Sequence, residues 1–209
     1  MTTNKLIYQF RVELLEIEPS IWRRIQVPAE YSFWDLHVAI QDSMGWLDYH
    51  LHEYRVKRPH GRKVVEIGIP DTETDREVLS GWEVPISAYF VQPGVAAAYD
   101  YDFGDGWHHK VLLEGILLRE PSVKYPVCVA GERACPPEDC GGVPGYERLL
   151  ETLSKPRTEE YRDMVAWLKD HAKNYFPYKP DHFAPAEVEF WNPTKRWKLA
   201  FGKNAHREF

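Results

Sequence analysis

Residues 97–118 constrain the fold more than any other stretch. Apolar and polar side chains alternate along 97–103 and again along 107–118, and Gly104-Asp105-Gly106 lies between the two arms. A period of two belongs to a strand with one buried face. Asp-Gly is a strong hairpin signal because both residues tolerate the positive φ of a tight turn. Tyr99, Tyr101 and Phe103 share one face of the first arm, opposite Asp100 and Asp102. Trp107, His109, Val111 and Leu113 share a face of the second. Such a pattern demands an antiparallel sheet with one apolar side.

The N-terminal third repeats the theme. Within residues 6–17, Tyr8, Phe10, Val12 and Leu14 alternate with Gln9, Arg11 and Glu13, and Glu18-Pro19-Ser20 breaks the run. Residues 21–27 read as a second strand of a hairpin, ended by Pro28. Ser32 then opens a helix, with Asp35 three residues on as in a capping box and Tyr31 and Leu36 placed as a hydrophobic staple. Phe33, Leu36, Ile40 and Met44 form its apolar stripe, and Gly45 stops it. Residues 50–56 and 64–69 read as further strands, 71–77 as an acidic exposed loop, and 85–90 as one helical turn. Residues 119–145 hold five prolines and all three cysteines and read as irregular. Two helices follow. The first carries Tyr146, Leu149, Leu150 and Leu153. The second, capped by Thr158 with Glu159 and Glu160 at its positive end, carries Tyr161, Val165, Leu168 and Ala172.

Composition narrows the function classes. The chain has 209 residues, 44% apolar and 14% aromatic, enough to bury a core and to exclude a disordered chain. A net charge of -6 disfavours a broad duplex-coating basic face. No run of 18 apolar residues occurs, so no membrane span is expected. Three cysteines without an apolar leader point to a reducing, cytoplasmic setting. No P-loop, dinucleotide fingerprint or G-x-S-x-G elbow is present.

Four strings together resemble one family. They are Pro19-Ser20-Ile21-Trp22-Arg23-Arg24, His50-Leu51-His52-Glu53-Tyr54, Tyr101-Asp102-Phe103-Gly104-Asp105-Gly106-Trp107-His108-His109, and Ala134-Cys135-Pro136-Pro137-Glu138-Asp139-Cys140-Gly141-Gly142 with Gly145-Tyr146 after it. Over residues 6–201 the chain is similar to the plasmid pRiA4b ORF-3-like family, some of whose members carry a resolvase-type transposon passenger label. The resemblance implies an α+β domain with an antiparallel sheet, and no settled activity. The label implies recombinase chemistry, but no recombinase motif is recognisable. Arg23 and Arg24, adjacent on a strand, point to opposite faces and cannot form one cluster.

Three candidate sites follow. Cys128, Cys135 and Cys140, with His109 as fourth ligand, have the donor types of a structural zinc site. His109 faces inward by alternation; His52 is the second choice, and the resemblance points to both. Idle buried thiols with a satisfied core histidine, or a disulfide, are the alternatives. Asp100, Asp102, Asp105, Glu138 and Asp139 would converge on a divalent cation if the hairpin tip meets the cysteine loop; turn chemistry is the plain alternative. The EF-hand arrangement is excluded, because its twelfth position would be Val111. The basic tail, Lys195, Arg196, Lys198, Lys203 and Arg207 with Trp191 and Trp197, could meet nucleic acid. A terminal element packing its Trp residues on the core is the favoured alternative.

The expected architecture is one α+β domain over residues 1–209. It has a strand-rich part (6–118), a Cys/Pro loop (119–145) and a helical, basic part (146–209). The mostly antiparallel sheet begins with a β-grasp-like strand–strand–helix unit and is covered by C-terminal helices. The leading functional expectation is a non-enzymatic cytoplasmic module binding a protein or nucleic-acid partner in a plasmid or mobile-element setting, stabilised by structural zinc. The competing one is a metal-dependent hydrolase or nuclease using Asp102, Asp105 and His109.

Overall fold

A computed structural model describes residues 5–59, 61–70 and 75–202. Its frame is one eight-stranded sheet built from β1 (Leu6–Leu14), β2 (Ile21–Pro28), β3 (His52–Lys57), β4 (Val64–Gly68), β5 (Val78–Ser80), β6 (Ala96–Tyr101), β7 (Trp107–Leu118) and β8 (Val127–Glu132). The strands lie in the order β5-β4-β3-β6-β7-β1-β2-β8. Every pairing is antiparallel except β4 with β5. Four helices accompany the sheet: α1 (Phe33–Met44), α2 (Gly142–Leu153), α3 (Glu159–Asp170) and α4 (Pro193–Phe201). Among the described residues, no helix is long and apolar enough to cross a membrane.

Register explains the core. Leu14 faces His109 and Ile21 across β1, while His109 faces Tyr99 and Tyr99 faces Tyr54. One row of inward side chains thus crosses five strands. Phe10, Val12, Ile25, Val111 and Leu113 fill the neighbouring rows, all buried. The opposite face is polar. Arg24 forks onto both oxygens of Glu114 at 2.6 and 2.9 Å, and Arg55 and His108 bracket Asp100 at 2.8 and 2.7 Å. Sheets of this kind keep one face dry and one wet.

The dry face is closed by α1. Ser32 accepts from Asp35 N and the Asp35 carboxylate accepts from Ser32 N, so the expected capping box forms. Gly45 ends the helix at φ 88°, a conformation that costs a side-chain-bearing residue. Phe33, Leu36, Ile40 and Met44 are all buried. Each fully buried large apolar side chain contributes roughly 1.5–3 kcal/mol. The helix laid on the sheet is therefore α1. Helix α4 lies outside α1, with Phe201 5.5 Å from Trp34 between ring centroids and Trp34 Nε1 donating to Pro193 O at 3.0 Å. Helix α2 contributes Tyr146 to the core, and α2 and α3 bury Leu149 and Leu168.

Three local readings change. First, residues 127–132, expected to be irregular, form β8 at the sheet edge. An edge strand is half exposed, and a bulge at Arg24/Ile25 shifts its register, so no alternation marks it. Gly131 is required there: a Cβ would lie 2.4 Å from the Phe183 ring and 2.8 Å from Trp22 O. Second, Phe103 does not share the face of Tyr101. Asp102 adopts φ 56° and ends β6, leaving Phe103 exposed. Third, α3 ends at Asp170, so Ala172 falls outside its stripe and is exposed. Part of the expected 71–77 loop lies outside the described residues.

Candidate metal centre

Three segments distant in sequence meet at one end of the sheet. His50 lies in the turn before β3, Asp102 just after β6, and Asp139 in the loop before α2. The His50 turn is stitched to β6, since Tyr49 N donates to Tyr101 Oη at 3.1 Å and Asp102 N donates to Leu51 O at 3.0 Å. Asp102 turns back on its own loop, Oδ1 accepting from Gly104 N at 3.0 Å, and this leaves Oδ2 toward His50. The hairpin tip then fastens the Asp139 loop. Asp105 Oδ2 accepts from Gly141 N at 3.0 Å. Gly142 packs so closely on Asp105 that a Cβ would lie 2.3 Å from its carbonyl oxygen. The Glu138 carboxylate accepts from Leu47 N at 2.5 Å and from the Tyr101 hydroxyl. Burial raises the pKa of Glu138, and burial together with Glu138 raises that of Tyr101.

The outcome is a compact donor set. His50 Nε2 lies 2.9 Å from Asp139 Oδ1 and 3.6 Å from Asp102 Oδ2, and the three ligand atoms all fall within 4.8 Å of one another. Ligands bound at about 2.1 Å to a common ion stand roughly 3–3.5 Å apart, so little movement would let them share one. His171 Nε2 lies 4.0 Å from the second Asp139 oxygen. Asp102 and Asp139 hold φ of 56° and 57°, left-handed conformations that are uncommon outside glycine. Asp102 is buried while Asp139 is about half exposed, so the centre opens on one side. One imidazole and two carboxylates suit zinc, manganese or iron rather than a soft thiophilic ion.

Of the expected carboxylates, Asp102 and Asp139 come together. Asp105 serves the loop instead, and Glu138 is spent on Leu47 and Tyr101. Asp100 lies on the wet face with Arg55 and His108.

The thiol set is not brought together. No three of Cys128, Cys135, Cys140 and His109 have ligand atoms within 4.8 Å of one another; among the described residues only His50, Asp102 and Asp139 do. The thiols are free, which leaves no disulfide. Cys128 Sγ points to Ala130 O at 3.5 Å. Cys135 is buried near Arg23 and Lys173, and Cys140 lies near Asp105 and Asp139. Burial raises all three thiol pKa values, that of Cys140 to about 12.

His109 sits in the core. Its Nδ1 meets Tyr99 O at 3.2 Å, its Nε2 finds no partner, and burial lowers its pKa to about 4. His52 stacks on His37 with centroids 3.4 Å apart, and its pKa falls well below the usual value through burial and the adjacent His37.

Helix α4 carries the described part of the basic tail. Trp197 and Phe201 pack on Trp82 at 6.2 and 5.4 Å, and Arg196 pairs with Asp42 at 3.3 Å. Lys195 and Lys198 are exposed, and Lys203 and Arg207 lie outside the described residues. Arg23 faces the core and Arg24 faces solvent, as adjacency on a strand requires.

The family profile for "Plasmid pRiA4b ORF-3-like protein" matches residues 6–187. "Uncharacterized protein y4hQ" of Sinorhizobium fredii (strain NBRC 101917 / NGR234) is 32% identical over 164 residues, covering 77% of this chain and 80% of that protein. A crystal structure described as a protein of unknown function, MM3350 from Methanosarcina mazei Go1, is 44% identical with a TM-score of 0.79. It covers 90% of this chain and 100% of that one.

Proposed function

Given that this chain belongs to the plasmid pRiA4b ORF-3-like family, we propose that it is a divalent-cation-dependent hydrolase centred on His50, Asp102 and Asp139. The observation that carries the reading is the convergence of three ligand atoms within 4.8 Å from three separate segments. Three protein ligands with an open side are the pattern of a catalytic ion; a structural ion is closed by four. His50, Asp102 and Asp139 would hold the ion, which would supply Lewis acidity and an activated water. His171, beside the second oxygen of Asp139, would be the group placed to hold a proton there.

A groove of about 520 Å³ runs from Asp139 and Cys140 between α2 and α3, past Arg148 and Trp167. It offers a substrate one cation and one aromatic face, with the carboxylates of Glu160 and Asp163 on the same wall. The net charge of -6 favours a small substrate over duplex nucleic acid.

The test is turnover of bis(p-nitrophenyl) phosphate and p-nitrophenyl acetate with and without added Zn²⁺ or Mn²⁺. The expected result is cation-dependent hydrolysis that falls by about 100-fold or more in Asp102→Asn. Absence of cation-dependent turnover overturns the hydrolase. Retention of a stoichiometric ion without turnover supports a binding module built around a metal. Loss of that ion in a triple Cys→Ser variant, rather than in Asp102→Asn, moves it to a structural zinc site in the cysteine loop.

A further inference from the structure

A cavity of about 740 Å³ opens at the C-terminal end of α1, walled by the 134–136 segment and by the chain from Lys173 to Trp191. That size suits a small organic ligand. The His50 centre lines no part of it.

Arg23 reaches the cavity from the core face of β2. It is only 1% exposed. Its Nε donates to Ser43 O at 2.8 Å, and its Nη1 donates to Trp22 O and Glu132 O at 2.8 and 2.9 Å. The Phe183 ring lies over the guanidinium at 3.7 Å. Among the described residues it has no carboxylate partner. Lys173, exposed along much of its length, turns its ammonium onto Gly45 O, and burial of that group lowers its pKa.

Both cations therefore sit on the carbonyl end of α1, where a helix dipole presents the equivalent of about half a negative charge. Two full positive charges exceed that by more than one unit. The nearby acids supply only part of the balance: Glu138 and Asp42 favour the charged form of Lys173, but among the described residues neither forms an ion pair with Lys173 or Arg23. Asp42 is taken by Arg196 at 3.3 Å and by Trp191 N at 2.8 Å, and Glu187 faces His182 at 3.4 Å. Glu189 and Lys179 are exposed and of opposite sign. A buried guanidinium without a counter-charge is costly unless something anionic joins it.

We propose that the cavity binds a small organic acid. A carboxylate or phosphate would sit between Arg23 and Lys173, and an aromatic or apolar body would lie against Trp46, Tyr175 and Trp191. Charge-assisted hydrogen bonds to the acid would be the strong contacts, and the exposed Trp191 at the mouth would gain cover.

Calorimetric titration of the full chain with phenyl phosphate, benzoate and inorganic phosphate tests this, with tryptophan fluorescence as a second readout. Saturable binding of phenyl phosphate or benzoate is expected, weakened about tenfold or more in Lys173→Met. Lys173 lies outside the core, so that variant keeps the fold, as its thermal melt would show. Whichever organic acid binds tighter identifies the acid group. Asp102→Asn should bind as the parent does, which separates this site from the His50 centre. No saturable binding up to about 10 mM, or unchanged affinity in Lys173→Met, overturns the proposal. Inorganic phosphate binding as tightly as phenyl phosphate overturns the role given to the aromatic wall.

Discussion

Acid should destabilise this protein through His109. The imidazole is buried, and burial holds its pKa at about 4 against 6.5 for the free side chain. Bonds to the Tyr99 and Trp107 backbone and the nearby Asp100 offset that only in part. Above pH 6.5 the ring is neutral in both folded and unfolded chains, so this group costs nothing. Between 6.5 and about 4 the unfolded chain takes up the proton and the folded chain does not. Stability then falls as pH falls, by about 1.4 kcal/mol per unit, and levels off below 4 at a total near 3 kcal/mol. His52 pushes in the same direction, while Glu138, Asp35 and Asp42, whose pKa values burial raises, oppose it. The contribution is isolated by His109→Gln, which keeps a hydrogen-bonding side chain without a titration. Urea unfolding at pH 7, 6, 5 and 4.5 should show the parent losing stability faster than the variant. Over that span the gap widens by about 2–3 kcal/mol. Parallel curves for the two proteins, or an NMR titration placing the folded His109 ring near 6.5, would refute the reasoning.

Other consequences can be read by denaturation alone. Ser32→Ala removes the acceptor of the capping box and should cost about 1 kcal/mol. Arg24→Met cuts a bidentate pair on the wet face and should cost at most about 1 kcal/mol, whereas Arg23→Met removes a buried guanidinium that donates to Ser43 O in the core and to the less buried Trp22 and Glu132 carbonyls, and should cost about 2 kcal/mol or more. Equal losses from the two would contradict their placement on opposite faces. Gly142→Ala sets a Cβ against Asp105 O at φ 68° and should cost at least about 2 kcal/mol. It should also weaken cation binding, because it pushes the Asp139 loop off the hairpin.

Much of the fold was legible because its elements carry strong local signals. Period-two alternation announced β1, β2, β6 and β7, and the Ser32/Asp35 box with Gly45 bracketed α1 within a residue. Strand β8 was not legible, since an edge strand with a bulge buries neither face fully. The layering was also hidden: a capped amphipathic helix does not state which surface it covers, and α1 rather than the C-terminal helices took the sheet.

The candidate site was half legible. Of the five carboxylates in the sequence reading, Asp102 and Asp139 come together where the hairpin tip reaches the cysteine loop, and the other three do not. Alternation places His109 inward, and inward is the dry core, away from the open site. The sequence reading favours His52 over its neighbour His50. A strand reading from residue 50 gives both rings one face, whereas the strand begins at His52 and His50 stands in the turn before it. His171 carries no local signal; only the return of the chain after α3 brings it near Asp139. The thiols illustrate the converse, since spacing in a proline-rich loop says nothing about where each sulfur is buried.

Paramagnetic titration of the histidine ring signals tests the proposed cation site most directly. Added at a fraction of an equivalent, Mn²⁺ should broaden the His50 and His171 resonances first and leave buried His109 sharp, and Asp139→Asn should abolish the effect. Uniform broadening of all exposed rings, or selective broadening that survives Asp139→Asn, would contradict a cation shared by His50, Asp102 and Asp139.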